Sequence, residues 1–423
     1  MESVLIIGAG VAGLAAAQSL AGAGFKVTIL EARDRIGGRI HTLHERHSPV
    51  PVELGAEFVH GKAREVWDIA DAENFVMGSL EGDNWCSENH VLKKSNEFWD
   101  QWTAVARQVK KGKSYPDRSF REFLETLPLD AETKKSALDF VQGFNAAFAG
   151  RISLQHLSIT QEASDSISGQ TSFRVIAGYD RIVRALARFD SGSVKIRLNT
   201  IVDEIEWWRG RVQAGGYEAD RAVITVPLGV LQADAIRFDP DLPEKRSAAQ
   251  ELEMGHVVKV VLFFKSAFWE DRGVENLSFL HARGEKFPTW WTTRPIAAPV
   301  LVGWAGGPPA ETLAFKSEDF ILDAAVSSLA NALKMHSSAL AARIDTAYVY
   351  DWQADPFTLG AYSYVPTGAI TAPMRLAEPV ADTLFFAGEA TNSDGHSATV
   401  HGAIATGYRA AAELSGSLRR RAA

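Results

Sequence analysis

The sequence predicts an α/β fold: one domain built in several pieces, with a second domain inserted between them. Three observations carry that reading. Residues 3–30 run strand, glycine turn, helix, strand, which is the unit of a parallel sheet. Another strand–glycine–helix unit closes the chain at 383–410. Finally, 423 residues are too many for one ordinary domain of ~150. If both ends serve one domain, that domain is discontinuous. The expected division is 1–78, 193–255 and 376–423 for the discontinuous domain, against 79–192 and 256–375 for the inserted one.

Each element follows from local pattern. Ser3–Ile7 is a short apolar run stopped by Gly8, hence a buried strand. Residues 11–23, rich in Ala and Leu, read as a helix, and the β-branched run Lys26–Leu30 as a second strand. Helical spacing recurs over 120–127, 131–148, 179–189 and 317–334, with Ser317 as an N-cap. Strands are expected at 194–198, 201–207, 222–226 and 257–264. Residues 286–302 read as stranded but broken by Pro288, Pro295 and Pro299. A last strand at 383–387 precedes a glycine turn and a helix through 410. No internal repeat or low-complexity segment stands out.

Composition narrows the classes. There are 44 basic and 52 acidic residues, so the net charge is −8. Apolar residues at 46% and charged residues at 23% are those of an ordinary globular chain. The acidic excess argues against a general nucleic-acid binder. One cysteine, Cys86, excludes an intramolecular disulfide framework and a multi-cysteine metal site, so no metal is expected. It also fits a reducing compartment, and a cytoplasmic location is expected. No run reaches the ~18 uninterrupted apolar residues of a membrane helix. The first apolar run enters a glycine motif without a basic leader, so no cleaved signal peptide is expected. Residues 418–423 read as a solvated basic tail.

Gly8-Ala9-Gly10-Val11-Ala12-Gly13 matches G-x-G-x-x-G at a strand-to-helix turn. The first glycine permits the turn, the second lets backbone approach a pyrophosphate, and the third lets helix and strand pack closely. The helix N-terminus offers free N–H groups to phosphate. Glu31 follows about twenty residues later, at the end of the second strand, where a carboxylate suits a ribose diol. This motif alone does not separate FAD from NAD.

Arg33-Asp34-Arg35-Ile36-Gly37-Gly38-Arg39 comes next, and with it the sequence resembles the flavin-containing amine oxidase superfamily. That group includes monoamine oxidases, polyamine oxidases, L-amino acid oxidases and lysine-specific histone demethylases. The resemblance covers nearly the whole chain and is nearest to the polyamine oxidases. Further segments carry it: Leu198-Asn199-Thr200-Ile201-Val202, Pro227-Leu228-Gly229-Val230-Leu231, Phe386-Ala387-Gly388-Glu389, and Ser397-Ala398-Thr399-Val400-His401-Gly402-Ala403. It implies a Rossmann-like FAD-binding domain and a substrate domain of mixed sheet and helices. It also implies FAD contacts at Gly8, Gly10, Ala12, Gly13, Glu31, Ala32, Arg33, Gly37, Gly38 and Arg39. Gly55, Ala56, Glu57, Val202, Gly388, Glu389, Thr399 and Val400 complete the implied set. Glu389 would meet the ribitol chain; the lesser alternative is an acid favoured by a helix N-terminus.

Three windows bear on catalysis. Val257–Phe264 is an apolar strand with one charge, Lys259. By itself this is either a buried amine of lowered pKa or an edge-strand lysine snorkelling outward. The resemblance gives Lys259 a water held against the flavin, and a role in flavin reoxidation. In the second window, Tyr362 would wall the amine site and Trp352 pack near the ring, although a Tyr-Ser-Tyr run is also an ordinary strand face. In the third, Glu53-Leu54-Gly55-Ala56-Glu57-Phe58-Val59-His60-Gly61 resembles polyamine oxidases whose histidine sits by the amine. Alone, His60 reads as a loop residue. The expected catalytic set is Lys259, Tyr362, Trp352, Thr399 and His60.

Two departures shape the substrate reading. Ala361 stands where animal monoamine oxidases attach flavin to a cysteine, so FAD is expected to be noncovalent. Thr399 stands where those enzymes complete a two-tyrosine cage. The expected reaction is hydride transfer from the α carbon of a neutral amine to flavin. Imine hydrolysis and reoxidation by dioxygen then give hydrogen peroxide. A polyamine is favoured, with Glu57, Glu162 or Asp165 offering an acidic wall. The rivals are a monoamine oxidase and an L-amino acid oxidase, the latter with Arg174, Arg283 or Arg294 clamping a carboxylate. A non-catalytic flavoprotein or chromatin binder is the rival from another class. The chain is expected to be a monomer or homodimer without nucleic-acid or membrane partners.

Overall fold

In a computed structural model, residues 2–422 are described except 47, 89–90 and 190–191. Side chains are described up to 417, so the basic tail at 418–423 lies outside the described side chains.

A five-stranded sheet positions the nucleotide motif. Its strands run in the order Val194–Arg197, Lys26–Leu30, Ser3–Ile7, Arg221–Ile224, Leu384–Phe386, all parallel. Parallel strands need faces covered on both sides, and these read as near-continuous apolar runs for that reason. The helix Val11–Gly22 covers one face, and the long helix Val400–Ala422 packs on it. The two approach so closely that a Cβ on Gly407 would meet the Ala12 carbonyl oxygen at 2.2 Å.

A seven-stranded sheet forms the second body, in the order Ile344–Asp351, Val257–Phe264, Val300–Gly306, Thr289–Thr292, Leu277–Ala282, Asp83–Glu88, Val91–Lys94. Helices Glu97–Val109, Ala131–Phe144 and Leu154–Ser166 build a separate apolar cluster around Phe120, Val141 and Tyr364. A small sheet joins Val59–His60, Ser172–Val175 and Met77–Ser79. The helix Asp180–Leu186 packs Ile182, Val183 and Leu186 into the core of the parallel sheet, although it lies within 79–192.

Local departures from the sequence expectations have local causes. The helix expected over 131–148 ends at Phe144, because Ala146 takes a positive φ of 48°. The strand expected over 201–207 begins only at Glu204. Before it, Asn199 and Thr200 donate to the carbonyls of Arg33 and Glu31, which bends the chain around the end of the second strand. Residues 286–302 split into two antiparallel strands, paired Thr289↔Trp304, with Pro295 and Pro299 in the connection, where no ladder N–H is needed.

Candidate active site

One cavity of about 660 Å³ runs from the glycine turn to a ring-lined chamber between the helices. Every cofactor residue expected from sequence lines it except Gly13. Gly13 acts from behind: a Cβ there would meet the Gly8 carbonyl oxygen at 2.1 Å, so glycine is what lets the helix start so close to the strand. Gly10 is different, since a Cβ on it meets no atom within 4 Å and would enter the cavity. No side chain caps the helix that follows, so its first N–H donors are left for a ligand.

Glu31, buried at the end of its strand, accepts from Ala9 N at 2.7 Å and Arg33 N at 2.9 Å. A carboxylate has about four acceptor sites, so room remains for a diol. Glu389 is also buried. It accepts from Arg39 Nη1 at 2.8 Å, Ser363 Oγ at 2.6 Å and Ala398 N at 2.9 Å. Arg39 also donates to the Ala361 carbonyl at 2.8 Å, which ties the Gly-Gly-Arg segment to the chain before Tyr362. Arg33 pairs with Asp355 at 2.6 Å. These groups form a polar cradle suited to a dinucleotide.

Lys259 sits in the strand Val257–Phe264, which is paired on both edges and buried throughout. The snorkelling alternative is thereby excluded: this is no edge strand, and the side chain is 0% exposed. Its Nζ donates to Glu57 Oε2 at 2.5 Å and to the Gly55 carbonyl at 3.2 Å, and lies 5.6 Å from the Trp291 ring centre. Glu57 is gripped from the other side by Arg174, and Trp291 Nε1 donates to it at 3.0 Å. Burial alone would raise the Glu57 carboxyl, but Arg174 and Lys259 bring it down to about 2. Burial lowers the Lys259 ammonium, with Glu57 opposing.

Tyr362 Oη donates to the Phe144 carbonyl at 2.8 Å, joining the segment after Ala361 to the helix Ala131–Phe144. Trp352 is buried and anchored by Nε1 to the Leu54 carbonyl at 3.1 Å. Thr399 caps the last helix: its Oγ1 accepts from Gly402 N at 3.0 Å and donates to the His396 carbonyl at 2.7 Å. His60 contacts Ser172 Oγ through Nδ1 at 3.2 Å, and burial takes its pKa down to about 4, so it is neutral at pH 7. All five expected catalytic residues line the cavity.

The acidic wall requires correction. Glu57 is spent on Arg174 and Lys259. Glu162 and Asp165 do not line the cavity; they pair with Lys113 and Lys110. The helix Leu154–Ser166 presents Leu157, Thr160, Gln161 and Ser164 inward; Glu162 faces away, and Asp165 lies on the flank, where it accepts from Gln161 Nε2 and Gln170 Nε2 at 3.0 Å each. The carboxylate clamp fares no better. Arg174 serves Glu57, Thr292 O and Arg294 O. Arg283 is held by Glu88 and Ser136, and Arg294 by the Leu277 carbonyl. Neither of these two lines the cavity.

Sequence reasoning missed the chamber itself. Trp291 and Phe279 come from one sheet, Phe98, Trp99 and Trp102 from the helix Glu97–Val109, and Phe140 and Phe144 from the helix Ala131–Phe144. It also missed His401, whose Nε2 lies 3.1 Å from His396 Nδ1 beside Thr399. The aromatic spacing at 98, 99 and 102 was visible, but such spacing ordinarily marks a core.

Comparison with known proteins adds to this geometry. The family model described as Flavin containing amine oxidoreductase matches residues 11–76 and 79–415. The chain is 30% identical to "Probable polyamine oxidase 4" of Arabidopsis thaliana, over 96% of this chain and 86% of that protein. It is also 30% identical to "Lysine-specific histone demethylase 1 homolog 2" of Arabidopsis thaliana, over 97% of this chain but only 58% of that longer protein. Putrescine oxidase in its wild-type form bound to putrescine superposes with a TM-score of 0.82, over 98% of this chain and 99% of that one. At 22% identity, that likeness speaks for the fold.

Proposed function

The chain belongs to the flavin containing amine oxidoreductase family, and from that premise we propose that it oxidises a di- or polyamine with noncovalently bound FAD and dioxygen. The observation that carries this reading is one continuous cavity, in which a dinucleotide cradle opens past Lys259 into an aromatic chamber. Relatives bearing the name polyamine oxidase support the substrate class. When bound, FAD supplies the acceptor for hydride from the α carbon, and dioxygen takes the electrons onward to hydrogen peroxide.

The chain's own residues set the conditions. The turn at Gly10 and the uncapped helix after it would hold the pyrophosphate, and Glu31 would take the adenosine ribose. Ala361 has no thiol, and Cys86 does not line the cavity, which supports noncovalent attachment. Lys259 uses two of its three N–H donors on Glu57 and Gly55, leaving one to hold a water. The rings of Trp352, Tyr362 and Trp291 exclude bulk water and receive the amine on their faces. Neutral His60 imposes no repulsion on an approaching cation. No strong base is needed when the neutral amine reacts, so the protein acts by positioning and electrostatics.

A panel of monoamines, diamines, polyamines and amino acids, read by peroxide release, tests the reading. Highest kcat/KM on a di- or polyamine is expected. A leading benzylamine would favour the monoamine alternative, and a leading amino acid would overturn both. Acid precipitation should release yellow FAD into the supernatant; colour retained in the pellet would show a covalent link.

A further inference from the structure

We propose that Asp139 is the anchor for the distal ammonium of the substrate, fixing which carbon of a diamine or polyamine reaches the reaction centre. This rests on the amine-oxidising reading above and names a substrate-binding group for it.

Four carboxylates line the cavity: Glu31, Glu57, Glu389 and Asp139. The first three are tied to backbone amides or cations, as described. Among the described residues Asp139 accepts no hydrogen bond and joins no ion pair within 4 Å. Its nearest cations are committed elsewhere: Arg283 holds Glu88 at 2.9 Å and Lys135 holds the same Glu88 at 3.4 Å. Burial raises the Asp139 carboxyl, with Lys135 and Arg283 opposing and Glu88 adding to the rise. A half-buried acid without a partner either takes up a proton or is met by a cation, and a bound ammonium favours the ionised form.

The surroundings specify that something. Asp139 stands on the helix Ala131–Phe144 beside Phe140, which stacks on Trp102 with ring centres 4.1 Å apart. Phe140 stacks on Phe144 at 5.3 Å, and Phe144 meets His60 at 5.5 Å. Through Phe58 this wall reaches Trp291, under the Lys259 ammonium. An apolar, ring-lined passage with its cation at one end and one unpaired carboxylate along it fits an alkyl chain carrying a second ammonium. A monoamine leaves Asp139 unanswered. The anchor is worth more in this low-dielectric setting than at the surface.

The test separates binding from turnover. With the flavin reduced by dithionite under anaerobic conditions, calorimetry gives dissociation constants for 1,4-diaminobutane, spermidine and butylamine. Asp139→Asn should weaken the diamine and spermidine by ~10-fold or more, as expected for a lost charge-assisted bond, and leave butylamine within ~2-fold. Asp139→Glu should retain the preference for the second ammonium. A wild-type preference for diamines that survives unchanged in Asp139→Asn would discard the anchor and leave the substrate class standing. Equal weakening of all three amines would also discard it, as a packing effect. No wild-type preference for diamines over butylamine would overturn the substrate class and the anchor together.

Discussion

The cofactor end and the amine end of the cavity are built by opposite means. The cofactor end is backbone: a turn, an uncapped helix and two buried carboxylates tied to main-chain amides. The amine end is side chain: rings from two helices, two sheets and the chain between them, converging from positions up to 264 residues apart, from Phe98 to Tyr362. A backbone site needs glycine at fixed intervals, so it leaves a sequence signature. A converging aromatic site only needs apolar residues facing inward, which is also what any core needs.

The sharpest break of the comparison is Gly10→Val. Because a Cβ at Gly10 meets nothing within 4 Å, the isopropyl group should be accommodated by the apoprotein while filling the place of the pyrophosphate. The expected result is complete loss of yellow colour with an unchanged far-ultraviolet circular dichroism spectrum. A fully flavinylated variant would mean that the glycine turn does not carry the cofactor.

Next in size is Lys259→Met, at the junction of the two ends. The substitution removes a buried cation and its one spare donor, and leaves Glu57 paired with Arg174 alone. Reoxidation of reduced flavin by air should slow by ~10²–10³-fold, the scale of losing one preorganised donor, while flavin stays bound. Stopped-flow absorbance measures this directly. An unchanged rate would remove Lys259 from the oxygen reaction.

What the sequence disclosed divides along the same line. The parallel sheet, the strand holding Lys259 and the glycine cradle were legible because each depends on neighbours within a few residues. The burial of Lys259 was not, because it is decided by strands Val300–Gly306 and Ile344–Asp351, far along the chain. The pairing of Glu57 with Arg174 joins residues 117 apart, and no local pattern marks it. Glu162 and Asp165 misled because acidity is read from the sequence and facing is not. Asp139 was passed over for the complementary reason: a single acid in an amphipathic helix looks solvated until the helix is seen to line a cavity.

Glu53 gives a smaller and pH-dependent effect on the cofactor side. It is buried, accepts from Thr42 Oγ1 at 2.6 Å and Tyr179 N at 2.8 Å, and burial raises its carboxyl from 4.5 to about 7. A raised folded-state pKa means that the native chain holds the proton more tightly than the unfolded one. Glu53 therefore favours folding below pH ~4.5 and loses that contribution as pH rises through ~7. Glu53→Gln, which keeps the shape without the proton, should be the more stable protein at pH 8 by on the order of 3 kcal/mol. The two should converge at pH ~4, below the unfolded pKa. Thermal unfolding of both proteins at the two pH values checks the sign, and a gap that widens toward acid pH would show that Glu53 is ionised in the native state.

The smallest expected effect separates the two ends by ionic strength. A chain of net charge −8 draws a polycation from solution, and that long-range attraction is screened when the Debye length falls. The cavity contributes a second, local attraction at Asp139, which lies among rings rather than in bulk water and is screened less. Raising salt from ~20 to ~200 mM should therefore raise KM for spermidine by only ~2–5-fold, without changing kcat, and leave KM for butylamine flat. In Asp139→Asn the baseline KM for spermidine is higher, yet most of the salt response should survive, since it comes from the whole surface. Loss of the entire salt response in that variant would instead place the attraction at the one carboxylate, and would make the amine end as electrostatically concentrated as the cofactor end.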